Sequence, residues 1–482
     1  MAIWHELAGV DGVGLAELVQ RKEVKPIELV EATIERIERV NPEINAVVIK
    51  MYDIARDVAR DDTASGPFAG VPYLIKDLTG MYGGILHTAG SKSLKDSIAM
   101  FDSTLVARMK EAGLNIIGKT NTPEFGLYIT TEPLLWGPTR NPWNTEHIAG
   151  GSSGGAAAAV AAGILPWAHA SDGGGSIRLP ASCCGLLGLK PTRARLPLGP
   201  IMNDISAGLV ACEGAITVSV RDCAALLDAL SGPEPGDPYW APPPARPFIE
   251  EVGVDPGKLR IAFTTRTSPD LPVHADCVAA VEETARLLEG LGHEVVEDAP
   301  ALDWPTLIET FRMLYCVTPA KRFLLAEVLM GQTLTQDDVE PQTWAIAEIG
   351  KTTTAAQADL GWVMLGMAAR EFGRFLSRYD LLLTPTTGAP PPKLGALSID
   401  PNNVLEDIVG KLLNFAQFTW MMNNTGLPAI SVPLYWNKNN LPIGSHFVAK
   451  LGDEATLLRL AAQLELAKPW ASTHPPVWAY QD

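Results

Sequence analysis

Residues 150–192 read GGSSGGAAAAVAAGILPWAHASDGGGSIRLPASCCGLLGLKPT, an apolar run that carries two serine sites, Ser152 and Ser176, each set among glycines and neither beside a histidine. A serine hydroxyl ionises far above neutrality and needs a base. Where histidine is absent a neutral lysine can serve, and a second hydroxyl, which both donates and accepts, can relay the proton. The two serines lie 24 positions apart. Between them Ala156–Ala170, interrupted by Gly163, Pro166 and His169, reads as a buried core helix, too short to span a bilayer and long enough to double the chain back. Gly173, Gly174 and Gly175 permit unusual dihedrals and let backbone N–H groups converge beside the Ser176 hydroxyl, as in an oxyanion hole. Glycine-rich turns with solvent-facing serines would explain SSGG or GGGS alone; their conjunction inside an apolar segment favours chemistry.

Outward from this segment, helix and strand alternate. PIELVEATIERIERVN (26–41) sets Ile27, Val30, Ile34 and Ile37 on one face against charges on the other, with Pro26 suited to a first turn. GPFAGVPYLIKDL holds a buried strand, Val71–Ile75, that delivers Lys76 at its end. STLVARMKEAG (103–113) is a helix that stops at Gly113, and LNIIGKT follows as a β-branched strand. Beyond a proline-dense connection at 231–247, strands are expected at 260–265, 293–297, 380–386, 429–434 and 443–450, with helices at 274–292 and 453–465. The rhythm predicts one mixed α/β domain whose sheet draws strands from both ends of the chain, with a covering helical subregion at about 300–375.

With 482 residues, 47% hydrophobic and 19% charged, the chain can bury a large core. A net charge of −17 and no run of Lys and Arg with interleaved aromatics exclude direct nucleic-acid binding. The start, MAIWHELAGVDGVG, lacks a basic region followed by an apolar one, so a cytoplasmic protein with no membrane partner is expected. Cysteines 183, 184, 212, 223, 277 and 316 form no CxxC pair and have no histidine at metal spacing; they read as reduced core thiols, and no metal site is expected.

Two motifs invite other readings. GLNIIGKT (113–120) satisfies the phosphate-loop pattern, yet its central Leu, Asn, Ile, Ile want a strand and TNTPEF places a proline where the helix would begin, so Lys119 reads as an ordinary post-strand lysine. GSSGG (151–155) fits the nucleophile elbow, with Ser153 as nucleophile and His274, His446 or His474 as base. An elbow needs an apolar strand leading into it, and WNTEHIAG is polar, so this stands as the runner-up.

GVPYLIKD, GGSSGG and DGGGSIRLPASCCGLLGLKPT, with GPTRNPWN, LLLTPT, TGLPAISVP and LPIGSHFV, resemble the amidase signature family, serine hydrolases of amides and sometimes esters, over nearly the whole chain. The resemblance implies a single domain over 1–482, with a mixed, mostly parallel central sheet covered by helices on both faces and a catalytic core at about 65–200. It implies Ser176 as nucleophile, Ser152 as a bridging serine on a cis peptide bond, and Lys76 as ultimate base. The amides of Gly173, Gly174, Gly175 and Ser176 would form the oxyanion hole, supported by Ser153, Asp172 and Arg178. Many members read Gly-Thr-Asp-Thr where this chain has Ala170-Ser171-Asp172-Gly173, which leaves more room beside the nucleophile. HASDGGGSIRLPASCCG, TNTPEFG and TEP resemble the branch of cyclic-amide hydrolases, aryl-acylamidases and urethane-cleaving enzymes.

The implied reaction is acyl transfer from a small-molecule amide to water, without metal or organic cofactor, and with a homodimer left open as the assembly. Leu127, Tyr128, Trp136, Cys316, Trp420 and Met421 are candidate substrate contacts, each equally readable as core. Their character, with Gly173, leads to an expectation of uncharged substrates with apolar or aromatic parts. Two rivals remain: a glutamine-hydrolysing subunit of a tRNA-dependent amidotransferase, and a catalytically silent binding protein on the same fold.

Overall fold

Short, almost wholly buried apolar runs, which satisfy their backbone groups only in a sheet, make up the centre of the molecule. A computed structural model describes residues 7–61 and 65–481; the amino-terminal stretch read above for a leader begins outside them. The strands are β1 (Val47–Lys50), β2 (Pro72–Lys76), β3 (Asn115–Thr120), β4 (Arg140–Asn141), β5 (Asn144–Ile148), β6 (Trp167–Asp172), β7 (Leu187–Lys190), β8 (Cys212–Thr217), β9 (Arg260–Phe263), β10 (Glu294–Glu297), β11 (Leu381–Pro385), β12 (Ala429–Trp436) and β13 (Pro442–Ala449). Eleven join one sheet in the order β1-β3-β2-β6-β8-β7-β12-β13-β11-β9-β10, while β4 and β5 form a small ladder of their own.

The α/β architecture, with a large mixed sheet flanked by helices, matches the expectation, but the sheet is not mostly parallel. Six of its ten neighbouring pairs are antiparallel and four parallel. The reason lies in connections that carry no crossover helix: β7 reaches β8 through 191–211, and β12 reaches β13 through 437–441. The strands from 429 onward enter the middle of the sheet, so both ends of the chain do contribute to it.

The expected helix over Ala156–Ala170 is also corrected. The helix is Gly154–Ala161; the chain turns at Gly163, which adopts φ +74°, and resumes as β6 at Trp167. Both halves are buried on every side, so no period separates them. Elsewhere the amphipathic helix runs Pro26–Ile44 with Pro26 in its first turn and Val30, Ile34, Ile37 and Val40 buried. Residues 113–120 hold β3, not a phosphate loop, and Lys119 is fully buried and ion-paired with Asp77 at 3.4 Å. All six cysteines are buried and unpaired. Helices Trp304–Met330, Pro341–Lys351 and Ala355–Leu376 fill the region expected to be helical. Their apolar residues Cys316, Phe323 and Ile346 share a cluster with Phe125, Leu127 and Tyr128. Among the described residues no helix is long and apolar enough to cross a membrane.

Candidate active site

Lys76 is the last residue of β2, a strand buried along its whole length between β3 and β6. Its own N–H donates to His169 Nδ1 at 3.1 Å, and His169 Nε2 lies 2.7 Å from a carboxylate oxygen of Glu213, which fixes the strand end. The fully buried Nζ meets three hydroxyls: Ser152 Oγ at 2.7 Å, Ser153 Oγ at 2.9 Å and Ser171 Oγ at 3.1 Å. No carboxylate pairs with it among the described residues; the neighbouring Asp77 turns instead to Lys119 and Thr88. Burial pulls the Lys76 ammonium down to about 7, against the opposing pull of Glu213 and Asp172. The side chain is thus partly a neutral amine at neutral pH, with a lone pair that can take a proton from a serine.

Ser152 and Ser153 sit in the turn before helix Gly154–Ala161, and the Gly151–Ser152 peptide is cis. A Cβ on Gly151 would lie 2.6 Å from the Thr130 backbone, so only glycine lets the two chains approach here. Ser153 Oγ is tied to β6, donating to the Ser171 carbonyl at 3.2 Å and accepting the Ser171 N–H at 3.3 Å. Ser152 Oγ has Lys76 Nζ as its one hydrogen-bond partner, leaving its proton free to be directed elsewhere.

β6 ends at Asp172, and the loop Gly173–Ser176 leads into helix Arg178–Cys184. The Asp172 carboxylate accepts the N–H groups of Gly175 at 2.6 Å and Ile177 at 3.1 Å, bracketing Ser176. It pairs with Arg178 at 3.0 Å, both side chains wholly buried. Burial pushes the Asp172 carboxyl up, but the Arg178 guanidinium overcomes it and holds the group well below the usual carboxylate range. Arg178 uses all its donors, reaching the Thr419 carbonyl at 2.9 Å, Asn423 Oδ1 at 2.6 Å and His446 Nε2 at 3.1 Å. A buried ion pair so completely satisfied fixes geometry. Because Gly175 gives its N–H to Asp172, the N–H groups of Gly173, Gly174 and Ser176 are the ones left without an acceptor among the described residues.

Gly175 adopts φ +137°, and a Cβ there would lie 2.4 Å from Thr419 Oγ1 and 2.8 Å from Leu179. Gly175→Ala is expected to destabilise the protein by roughly 1–3 kcal/mol and to lower activity further at temperatures where it remains folded. An unchanged urea midpoint together with unchanged kcat would contradict that.

Lys76 is fully buried, Ser152 is 2% exposed and Ser176 9%, the most accessible of the three. The Ser176 hydroxyl makes no hydrogen bond among the described residues; catalytic hydrogen bonds tighten when substrate closes the site. Among the described residues no histidine hydrogen-bonds Ser153: His446 is buried between Arg178 and Thr384, His274 caps a helix, and His474 stacks on Trp478. The elbow reading therefore finds no histidine base, and the amine beside Ser153 is the same Lys76 that meets Ser152.

The candidate substrate contacts fall into distinct places. Leu127, Tyr128 and Cys316 share one apolar cluster, Tyr315 Oη donating to the Leu127 carbonyl at 2.5 Å and Tyr128 Oη lying 2.8 Å from Thr343 Oγ1. Trp420 abuts the nucleophile loop, its Cβ 4.0 Å from where a Cβ on Gly174 would stand, and packs edge-on to Phe311 at 4.9 Å. Trp136 Nε1 donates to Thr88 Oγ1 at 3.0 Å. Met421 lines a cavity with Thr264, Trp304, Phe372 and Val448 that includes none of the serines. Sequence reasoning gave no role to Ser171, Thr419 or Asn423, and named His446 only as a possible base for Ser153, not as a partner of Arg178. The signal for Asn423 was a polar pair, Asn423-Asn424, ending the apolar run Trp420–Met422.

Comparison with known proteins agrees with this geometry. The profile of the Amidase family matches residues 28–458. The chain is 42% identical over 479 residues to 6-aminohexanoate-cyclic-dimer hydrolase of Paenarthrobacter ureafaciens, covering 96% of each chain. A solved structure of 6-aminohexanoate cyclic dimer hydrolase superposes with a TM-score of 0.92 at 40% identity, covering 97% of this chain and 99% of that one. A bacterial aryl acylamidase superposes at 0.87 with 28% identity over 98% of both chains.

Proposed function

The chain belongs to the amidase family, and from that premise we propose that it cleaves the amide bonds of small, largely apolar or oligoamide substrates through an acyl-enzyme on Ser176. The observation that carries the reading is the placement of Lys76 Nζ, buried, without an acid partner and within 3.1 Å of three serine hydroxyls. Lys76 draws a proton from Ser152, Ser152 draws one from Ser176, and the Ser176 oxygen attacks the carbonyl. The N–H groups of Gly173, Gly174 and Ser176 receive the oxyanion. The relay then returns its proton to the leaving amine, and water, activated by the same path, releases the acyl group. Asp172, Arg178 and Ser153 hold the loop and the lysine in place. Leu127, Tyr128, Cys316 and Trp420 are the substrate-facing members of the earlier candidates, and the likeness to cyclic-dimer hydrolases supports cyclic and linear oligoamides as the class to test first. Six unpaired thiols suit a reducing compartment, consistent with action in the cytoplasm.

Treatment with a fluorophosphonate is expected to give a single adduct, found on Ser176 by mass spectrometry of peptides; an adduct on Ser153 would replace this mechanism with the elbow. A hydrolysis screen across anilides, cyclic and linear oligoamides, carbamates, primary amides and p-nitrophenyl esters ranks the substrate classes. Faster turnover of free glutamine than of every other member would overturn the substrate reading in favour of an amidotransferase subunit.

A further inference from the structure

Helix Trp304–Met330 carries Phe311, Tyr315 and Arg322 at helical spacing. Phe311 packs on Trp420 beside the nucleophile loop, and Tyr315 holds the Leu127 carbonyl. Two turns further on, the Arg322 guanidinium lies over the ring of Phe125, 5.8 Å from its centroid. Phe125 and Gly126 lead directly to the catalytic serines: a Cβ on Gly126 would lie 3.4 Å from Ser152 Oγ. A chain of neighbours thus runs from Ser152 through Gly126 and Phe125 to Arg322.

Arg322 differs from the other sequestered arginines. Arg178 and Arg195 pair with Asp172 and Glu454, and Arg108 and Arg193 donate to backbone carbonyls. The Arg322 guanidinium, half-buried, has no ion pair and no hydrogen bond among the described residues. A half-buried guanidinium with no protein acceptor keeps its donors available to an incoming acceptor. Its field reaches the site, opposing the charging of both Lys76 and His87.

We propose that Arg322 recognises a carboxylate on the substrate, so that the preferred substrates are otherwise apolar amides ending in a carboxylate, such as linear ω-amino-acid oligoamides. This departs from the expectation of uncharged substrates, and it rests on the reading of the Ser176 cleft as the place where amides are cleaved. A guanidinium matches a carboxylate in charge and in its paired oxygens, and the Phe125 ring beneath it keeps the fork planar to its partner. Lys321, the preceding residue, donates to the Ser206 carbonyl at 2.7 Å and is thereby held away from the same task.

The test uses two matched pairs of substrates. Adipic acid monoanilide is compared with heptananilide, which places the carboxylate on the acyl arm; N-hexanoyl-6-aminohexanoate is compared with N-hexylhexanamide, which places it on the amine arm. The wild-type enzyme is expected to prefer the acid in at least one pair by about tenfold or more in kcat/KM, mostly through KM. Arg322→Gln should erase that preference while leaving the neutral member within about threefold, and Arg322→Lys should keep part of it. Titration with hexanoate, followed by calorimetry, should show binding to wild type and its loss in Arg322→Gln. Equal loss on acid and neutral members, or a wild type indifferent to the carboxylate in both pairs, would overturn the proposal and leave the amidase reading standing. Binding of hexanoate through Arg322 with no turnover of any of the four amides would do the reverse.

Discussion

Ser176→Ala is expected to reduce amide turnover by on the order of 10⁴-fold or more while the melting temperature stays within about 2 °C of wild type. The hydroxyl makes no hydrogen bond among the described residues, and Ser176 is more exposed than Ser152 and Lys76, so its loss leaves no buried partner unsatisfied. What disappears is the covalent route alone. Retention of even a hundredth of wild-type kcat by purified, folded Ser176→Ala would contradict Ser176 as nucleophile. A large drop in melting temperature would mean that the hydroxyl has a structural role as well.

The second large effect concerns Lys76. Arginine keeps the charge and roughly the reach of lysine but stays protonated at any pH the protein survives. Lys76→Arg should therefore lose on the order of 10³-fold or more in kcat, close to the loss in Lys76→Ala. A folded Lys76→Arg enzyme within about tenfold of wild type, less than about 1.4 kcal/mol of barrier, would return the lysine to a structural role. The pH profile offers an independent reading. With Lys76 pulled down to about 7, the amine is protonated and inactive as a base below that pH, and activity should rise through pH 7 to a plateau above it. The sign for stability follows from the same depression. Between about 7 and the ordinary lysine value of 10.5 the unfolded chain binds the proton and the folded chain does not, so this group makes the fold more stable as pH rises across that window.

The sequence was most informative where one residue type can do one job. A lysine at the end of a fully apolar strand, and glycines on both sides of two serines, announce their chemistry because burial and backbone freedom are visible in composition. The parts played by Ser171, Asn423 and His446 were not visible, because each acts through contacts made by distant parts of the chain: Asn423 reaches Asp172 across 251 positions. The division of Ala156–Ala170 into helix and β6 was lost for a different reason, since a segment buried on every side carries no periodic signature. Strand direction was misjudged because a rhythm of helix and strand says which elements exist but not which strands become neighbours; β12 and β13 separate β7 from β11 in the sheet. Arg322 drew no notice in the sequence, and only the lack of an ion pair or hydrogen bond among the described residues singles it out.

The anchoring of Arg178 at Thr419, Asn423 and His446 has a consequence for biosynthesis. A ribosome that has released residues 1–400 has already made Lys76, Ser152 and Ser176, yet the strands that complete the sheet beside β7 and the side chains that orient the nucleophile loop are still to come. Contacts of such sequence separation form late. The nascent chain accordingly carries Lys76 and both serines before the contacts that orient them exist, and the site is complete only when about the last sixth of the polypeptide docks.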